Sequence, residues 1–257
     1  MTTANLACGV GSILLASQGQ LTLACWLVFA GAFFDVLDGL AARALGGGSP
    51  LGAQLDSLAD MVTFGVAPGM IAFIIVGSGV VALENKDLIQ ATSLGDPITS
   101  MIFLKKAGIL DRLLVWSIPM IITIASCWRL AKFNLDTRQS NGFLGLPTPA
   151  NGLFWASVGL AVANGATYPA ILLIGIPAVP FSVALGLSIV MLSEIPLPSL
   201  KFKHFKWAGN EVIFLLLGIS LVLVILYGIL AVPMILLLYL LSPLWGKLFK
   251  SQLTSIK

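Results

Sequence analysis

Long apolar runs separated by short polar ones give this chain its outline. Eight can be drawn, at about 4–17, 20–45, 51–80, 110–134, 148–165, 172–193, 211–229 and 231–247. In lipid, where backbone groups must be paired within the protein, such runs are helices. The pattern predicts an all-α, polytopic membrane bundle of about eight transmembrane helices. At about 1.5 Å per residue the second and third runs reach near 40 Å, longer than a hydrocarbon core of about 30 Å, so both are expected to protrude. Gly46-Gly47-Gly48-Ser49-Pro50 separates them, a flexible break followed by a proline that starts the next helix. Gln18-Gly19-Gln20 predicts a tight turn after the first run. Small residues at Gly9-Val10-Gly11 and at Gly65 and Gly69 predict close helix packing, because backbones approach in lipid only where side chains are small. The alternative for Gly65 and Gly69 is a dimer seam.

The apolar pattern is broken most strongly between 35 and 60. Asp35, Asp38, Asp56 and Asp60, four of the 11 acidic residues, fall in these 26 positions, at depths where ionisable groups are expensive and usually functional. Composition agrees with a membrane setting. The 257 residues are 58% hydrophobic and 10% charged, against about 25% charged in soluble domains, and the mean hydropathy is +1.01. Short connections between repeated apolar runs argue for one domain over 1–257. A formal charge of +3, with its basic residues spread over loops, excludes nucleic acid as a partner. Cys8, Cys25 and Cys127 sit singly in apolar runs and read as packing residues rather than metal or redox sites. His204, the only histidine, lies in a basic loop and reads as solvated or facing headgroups. Met1 leads into an apolar run without a basic region or cleavage site, so no signal peptide is expected.

The basic residues set the topology. With Met1 inside, Arg43, Arg129, Lys132, Arg138, Lys201, Lys203, Lys206, Lys247, Lys250 and Lys257 are inside, and Lys86, Lys105, Lys106 and Arg112 are outside. Ten against four predicts both termini, and the 35–60 hairpin, at the cytoplasmic face. The outside loop 81–109, with an interfacial turn expected at 98–106, carries no residues that suggest chemistry.

Asp35 and Asp38 are three apart, and Asp56 and Asp60 four apart, so each pair shares a helix face. Two antiparallel helices joined at the glycine-rich break can point all four carboxylates at one another. Such a cluster repels itself unless protons or divalent cations relieve it. Oxygen ligands select hard ions, Mg²⁺ or Mn²⁺ first and Ca²⁺ next. Gly39 leaves room for a ligand beside Asp38, and Arg43 offers a fork for phosphate. The combination suggests phosphoryl-group chemistry at two metals, with an acid not fully occupied by metal as general base. A purely structural Asp–Arg network fails, because one arginine cannot neutralise four aspartates. A cation pathway explains the acids but neither the glycine nor the arginine.

The spacing D-x2-D-G-x2-A-R-x8-G-x3-D-x3-D, filled by Asp35, Asp38, Gly39, Ala42, Arg43, Gly52, Asp56 and Asp60, resembles the signature of CDP-alcohol phosphotransferases. The resemblance implies a six-helix core, here about 1–195, with two additional helices at about 211–247. It implies two divalent cations held by Asp35, Asp38, Asp56 and Asp60, with Asp60 as the base that deprotonates an incoming alcohol. Gly39, Arg43, Ser49 and Gly52 would contact the CDP-lipid, and Asn5 resembles the first-helix asparagine that faces the nucleotide. The reaction implied is transfer of a phosphatidyl group from CDP-diacylglycerol to an alcohol, with release of CMP.

Three looser stretches bear on the alcohol. Arg129-Leu130-Ala131-Lys132-Phe133-Asn134, Gly145-Leu146-Pro147-Thr148-Pro149-Ala150, and Met191-Leu192-Ser193 with Ser199-Leu200-Lys201 resemble the membrane-embedded phosphatidylserine synthases of bacteria. That implies L-serine as acceptor and a bacterial inner membrane. A serine carboxylate needs a cation, which Arg129 supplies, and Asn134 can orient the acceptor. The bland alternatives are that Arg129 and Lys132 are positive-inside anchors and that the prolines only break the chain. Glycerol phosphate or an inositol derivative is the runner-up acceptor, and a cation transporter the reading from another class. The last two helices, without polar motifs, read as packing or dimer-supporting, and a homodimer is expected. Replacing Arg43 with lysine keeps the charge but loses the fork, so the R43K protein should bind CDP-lipid more weakly in an equilibrium assay; wild-type affinity would contradict the phosphate role.

Overall fold

The computed structural model describes residues 1–44, 46, 49–84, 97–98, 101, 105, 107–135, 143–164, 173–197, 211–228 and 231–246. The expectations for Gly47, Gly48, Lys86, Lys106, Arg138, Ser199, Leu200, Lys201, Lys203, His204, Lys206, Lys247, Lys250 and Lys257, and for most of the outside loop, lie outside the described residues.

Helices make up most of the described chain, joined by short turns and one two-residue ladder. In order they are α1 (Thr2–Ser17), α2 (Leu21–Ala44), α3 (Pro50–Asp60), a π-helical turn (Met61–Val66), α4 (Ala67–Glu84), α5 (Ile109–Leu135), α6 (Thr148–Ala163), α7 (Ala178–Leu192), α8 (Glu211–Tyr227) and α9 (Ala231–Gly246). Strands β1 (Phe143–Leu144) and β2 (Pro196–Leu197) pair antiparallel. The helices follow the apolar runs. Among the described residues Leu21–Ala44, Pro50–Val80 and Ile109–Leu135 are long and apolar enough to cross a membrane. Thr2–Ser17, Ala178–Leu192, Ile213–Tyr227 and Ala231–Leu240 are apolar but shorter. Large apolar side chains such as Leu23, Trp26 and Phe33 on α2 and Trp116, Met120 and Ile124 on α5 are exposed, as lipid-facing surface should be. This is a membrane protein.

Local chemistry sets the breaks. Gly19 turns the chain at φ 79° between α1 and α2, a left-handed conformation that suits glycine. Ser49 caps α3, its Oγ accepting from Gly52 N–H at 3.0 Å, and Pro50 follows at the first helical position. Gly145, at φ 73°, donates its N–H to Ile195 O at 2.9 Å. A side chain there would also meet Ser193 O at 2.6 Å.

The run 50–84 is the axis of the bundle. The most apolar 18-residue stretch within Pro50–Val80 is 72% buried, against 22% and 33% for the corresponding stretches of α2 and α5. It packs against α1, α2, α5 and α6, and Phe64, Ile71, Ile75, Ile118, Ile122 and Leu160 are fully buried around it. The sequence predicts one uninterrupted helix here. The structure instead inserts a π turn, whose wider i→i+5 bonding resets the faces of α3 and α4 relative to each other.

Glycines seat that turn. A Cβ on Gly9 of α1 would lie 2.5 Å from Thr63 Oγ1, one on Gly31 of α2 2.5 Å from Thr63 Cγ2, and one on Gly152 of α6 3.0 Å from Phe64 Cα. Gly65 and Gly69 face Ser126 and Pro119 of α5 within the same chain, so the close-packing reading of that pair holds rather than the dimer seam. At Gly9 and Gly31 such contacts leave no room for a methyl group. Gly9→Ala and Gly31→Ala are each expected to destabilise the fold by about 1–3 kcal/mol, seen as a lower midpoint for thermal unfolding in detergent.

Candidate active site

The acidic residues converge where α2 meets the end of α3. Carboxylate oxygens of Asp35, Asp56 and Asp60 lie within 4.8 Å of one another. Asp60 is buried at the junction of α3 with the π turn, while Asp35 and Asp56 are half-buried. Asp38 does not join this group. Three residues along a helix advance about 300° and 4.5 Å, so Asp38 is offset from Asp35 by about one turn, and it accepts a hydrogen bond from Thr2 Oγ1 of α1. Three carboxylates thus share one space, and the fourth, paired with Thr2, stands beside them.

These groups fit a hard divalent cation. They offer only oxygen donors, and Asp56 Oδ1 is buried without a hydrogen-bond partner. A buried, unpaired carboxylate oxygen needs a proton, a donor or a cation. Of the three, Asp60 has one protein donor: Asn5 Nδ2 donates to Asp60 Oδ1 at 2.8 Å. Asn5, read from sequence as facing the nucleotide, is fully buried against Asp60.

The remaining sequence candidates stand around this centre. Gly39 is exposed and a side chain there would meet nothing within 4 Å, so packing gives no reason for glycine. Arg43 is exposed, and its Nε donates to Gly39 O at 3.0 Å, which lays the guanidinium back along α2 toward the glycine. Ser49 and Gly52 form the α3 cap described above. At the other end of the hairpin's neighbour α5, Asn134 donates to Ser57 Oγ at 2.9 Å, tying α5 to α3 beside Asp56. An apolar cavity of about 260 Å³ opens between these helices, lined by Ser57, Leu58, Met61, Cys127, Leu130 and Asn134 among others.

Arg129 is buried, with its guanidinium carbon 5.4 Å from the Phe133 ring centroid. With Lys132, Leu144, Met191, Leu192 and Ser193 it lines a cavity of about 10 Å³, room for about one water. The β1–β2 ladder and the Lys132–Glu194 ion pair, at 3.0 Å, close that region. Both partners of the pair are substantially exposed, so it contributes at most about 1 kcal/mol.

Three polar residues matter that the sequence reading did not single out. Thr63 is fully buried and donates its hydroxyl to Asn5 O at 2.9 Å. Thr2 reaches Asp38. Asn151 of α6 is fully buried with neither side-chain amide atom hydrogen-bonded to a described residue. The available signal was a polar residue inside an apolar run, weak for threonine, which lipid helices tolerate, and stronger for an amide such as Asn151.

Comparison with known proteins bears on this arrangement. Residues 1–193 match the family model described as CDP-alcohol phosphatidyltransferase. The chain is 32% identical over 211 residues to the CDP-diacylglycerol–serine O-phosphatidyltransferase of Bacillus subtilis, covering 82% of this chain and 92% of that protein. It is 31% identical over 230 residues to the protein of the same name from Helicobacter pylori, covering 87% and 79%. The archaetidylserine synthase of Methanothermobacter thermautotrophicus is 29% identical over 147 residues, covering 56% and 49%.

The cluster geometry ranks the aspartates. Replacing Asp35, Asp56 or Asp60 with alanine should weaken Mn²⁺ binding by more than about 10–100-fold, the loss that even a supporting partner's removal causes. Asp38→Ala should weaken binding of the first ion less. Mn²⁺ titration followed by electron paramagnetic resonance checks the order.

Proposed function

The chain belongs to the CDP-alcohol phosphatidyltransferase family, and within it we propose that this protein transfers the phosphatidyl group of CDP-diacylglycerol to L-serine. The products are phosphatidylserine and CMP. The carboxylate cluster at the family's signature positions supports the chemistry. The acceptor rests on relatives at 31–32% identity, covering 82% and 87% of this chain, that carry serine in their names.

Asp60 takes the proton of the serine hydroxyl, a role suited to a buried carboxylate with one oxygen held by Asn5. The hydroxyl oxygen then bonds to the phosphorus on the diacylglycerol side, in line with the pyrophosphate oxygen, whose bond to that phosphorus breaks as CMP departs. Two divalent cations, Mg²⁺ or Mn²⁺, held by Asp35, Asp38, Asp56 and Asp60, neutralise charge on the pyrophosphate and leaving group when bound. Gly39 lets the nucleotide approach the backbone, and Arg43, with Ser49 and Gly52 across the hairpin, holds its phosphates.

Arg129 receives the serine carboxylate and Asn134 orients the acceptor at the cytoplasmic end of α5. The cavity at Arg129 holds about one water as it stands, so the β1–β2 side must widen to admit an amino acid. The orientation drawn from the basic residues, with both termini and the site cytoplasmic in a bacterial inner membrane, keeps lipid tails in the bilayer while serine arrives from water. About eight transmembrane helices in a single domain, six of them forming the core over about 1–195, and assembly as a homodimer complete the proposal.

Purified protein with CDP-diacylglycerol should release CMP when serine is supplied and not when glycerol phosphate or an inositol derivative is. The reverse preference would replace the acceptor. Ion flux across vesicles without CMP release from any alcohol would replace the class. Asp60→Asn should lower turnover by about 10²–10⁴-fold, the usual contribution of general-base catalysis, while CDP-lipid binding stays measurable.

A further inference from the structure

Asn5 holds Asp60 and is itself held. Its side-chain Nδ2 donates to Asp60 Oδ1 at 2.8 Å, and its main-chain oxygen accepts from Thr63 Oγ1 at 2.9 Å. All three residues are buried, Asn5 and Thr63 completely. Asp60 closes α3 and Thr63 sits in the π turn that follows, so one residue of α1 is bonded to both ends of a single turn of the central helix. The seat of Thr63 is tight on two further sides, against Gly9 and Gly31. A side chain on Gly31 would also lie 3.1 Å from Asn5 Oδ1, so the amide oxygen sits close against the α2 backbone.

An ionised carboxylate only accepts hydrogen bonds, which fixes the amide's NH₂ as the group facing it. The terminal torsion of an aspartate is soft and broad. With Oδ1 engaged by a buried donor, rotation about that torsion is stopped, and the Asp60 carboxylate keeps its place among the oxygens of Asp35 and Asp56. We propose that Asn5 and Thr63 are positioning residues for Asp60: Asn5 sets the carboxylate's orientation toward the cation and the acceptor hydroxyl, and Thr63 sets Asn5. This rests on Asp60 being metal ligand and base as proposed above. It differs from the reading in which Asn5 touches the nucleotide: the amide is fully buried with its donor on Asp60, and its Oδ1 is buried with no hydrogen-bond partner among the described residues.

The test uses full-length protein in detergent, with Asn5→Ala, the near-isosteric Thr63→Val, and Thr63→Ser, which keeps the hydroxyl. Mn²⁺ affinity is read by electron paramagnetic resonance, CMP affinity by equilibrium dialysis, and kcat and KM by CMP release. Asn5→Ala should weaken Mn²⁺ binding by about 10–100-fold, as loss of a ligand-orienting partner does. With Mn²⁺ supplied at saturation for each variant, it should lower kcat while leaving CMP affinity and the KM for CDP-lipid within about twofold. Thr63→Val should move the same quantities in the same direction, and Thr63→Ser should restore them. Wild-type Mn²⁺ affinity in folded Thr63→Val or Asn5→Ala overturns the proposal, as does a loss confined to CMP affinity or KM. If Asn5→Ala does not fold, Thr63→Val decides alone. Mn²⁺ binding needs no turnover, so wild-type protein that binds Mn²⁺ but releases no CMP with serine refutes the proposed function and leaves this comparison intact. Failure of wild-type protein to bind Mn²⁺ overturns both.

Discussion

Everything at the acidic centre depends on how closely one helical turn, Met61–Val66, is seated between its neighbours. Gly9 and Gly31 approach it from two helices at distances that exclude even a methyl group, Gly152 approaches closely from a third, and its own Gly65 meets a fourth. Within a membrane bundle, water release between apolar helices contributes little, so close van der Waals contact of small residues is what fixes one helix against another. That contact sets the axial and rotational position of the central helix, and with it the position of Asp60 immediately before the turn. A looser interface would let the carboxylates drift by more than a metal site tolerates.

The same packing answers an energetic problem. A charged residue at the centre of a membrane helix costs roughly 3 kcal/mol on insertion scales, so four aspartates in two neighbouring segments are a large local debt against folding. The structure disposes of it residue by residue. Asp60 receives Asn5, Asp38 receives Thr2, and Asp35, Asp56 and Asp60 share a space that a cation can neutralise. The π turn fits this economy, for such irregularities occur mostly as single turns at functional sites. Its wider winding lets α3 turn its acids toward α2 while α4, a few residues on, turns apolar faces to the whole bundle.

At the opposite, α5–α7 side the arrangement is lighter. Arg129 is buried beside Phe133 under a two-residue ladder and an exposed ion pair, elements that contribute little stability each.

The amino-acid sequence alone determined the helical membrane character, because apolar runs of this length have few other solutions in lipid. It also pointed to the family, because carboxylates, glycine and arginine at fixed helical spacing leave a one-dimensional trace. The gathering of Asp35, Asp56 and Asp60 was legible for that reason. Tertiary structure alone decided that Asp38 stands beside the other three aspartates, that Asn5 belongs to Asp60, that Thr63 belongs to Asn5, and that the run 51–80 carries a π turn. Each of these depends on a partner far away in the chain, 55 residues from Asn5 to Asp60 and 58 from Asn5 to Thr63. Helical periodicity fixes which residues of one segment share a face; only the packing of segments against one another fixes which faces meet.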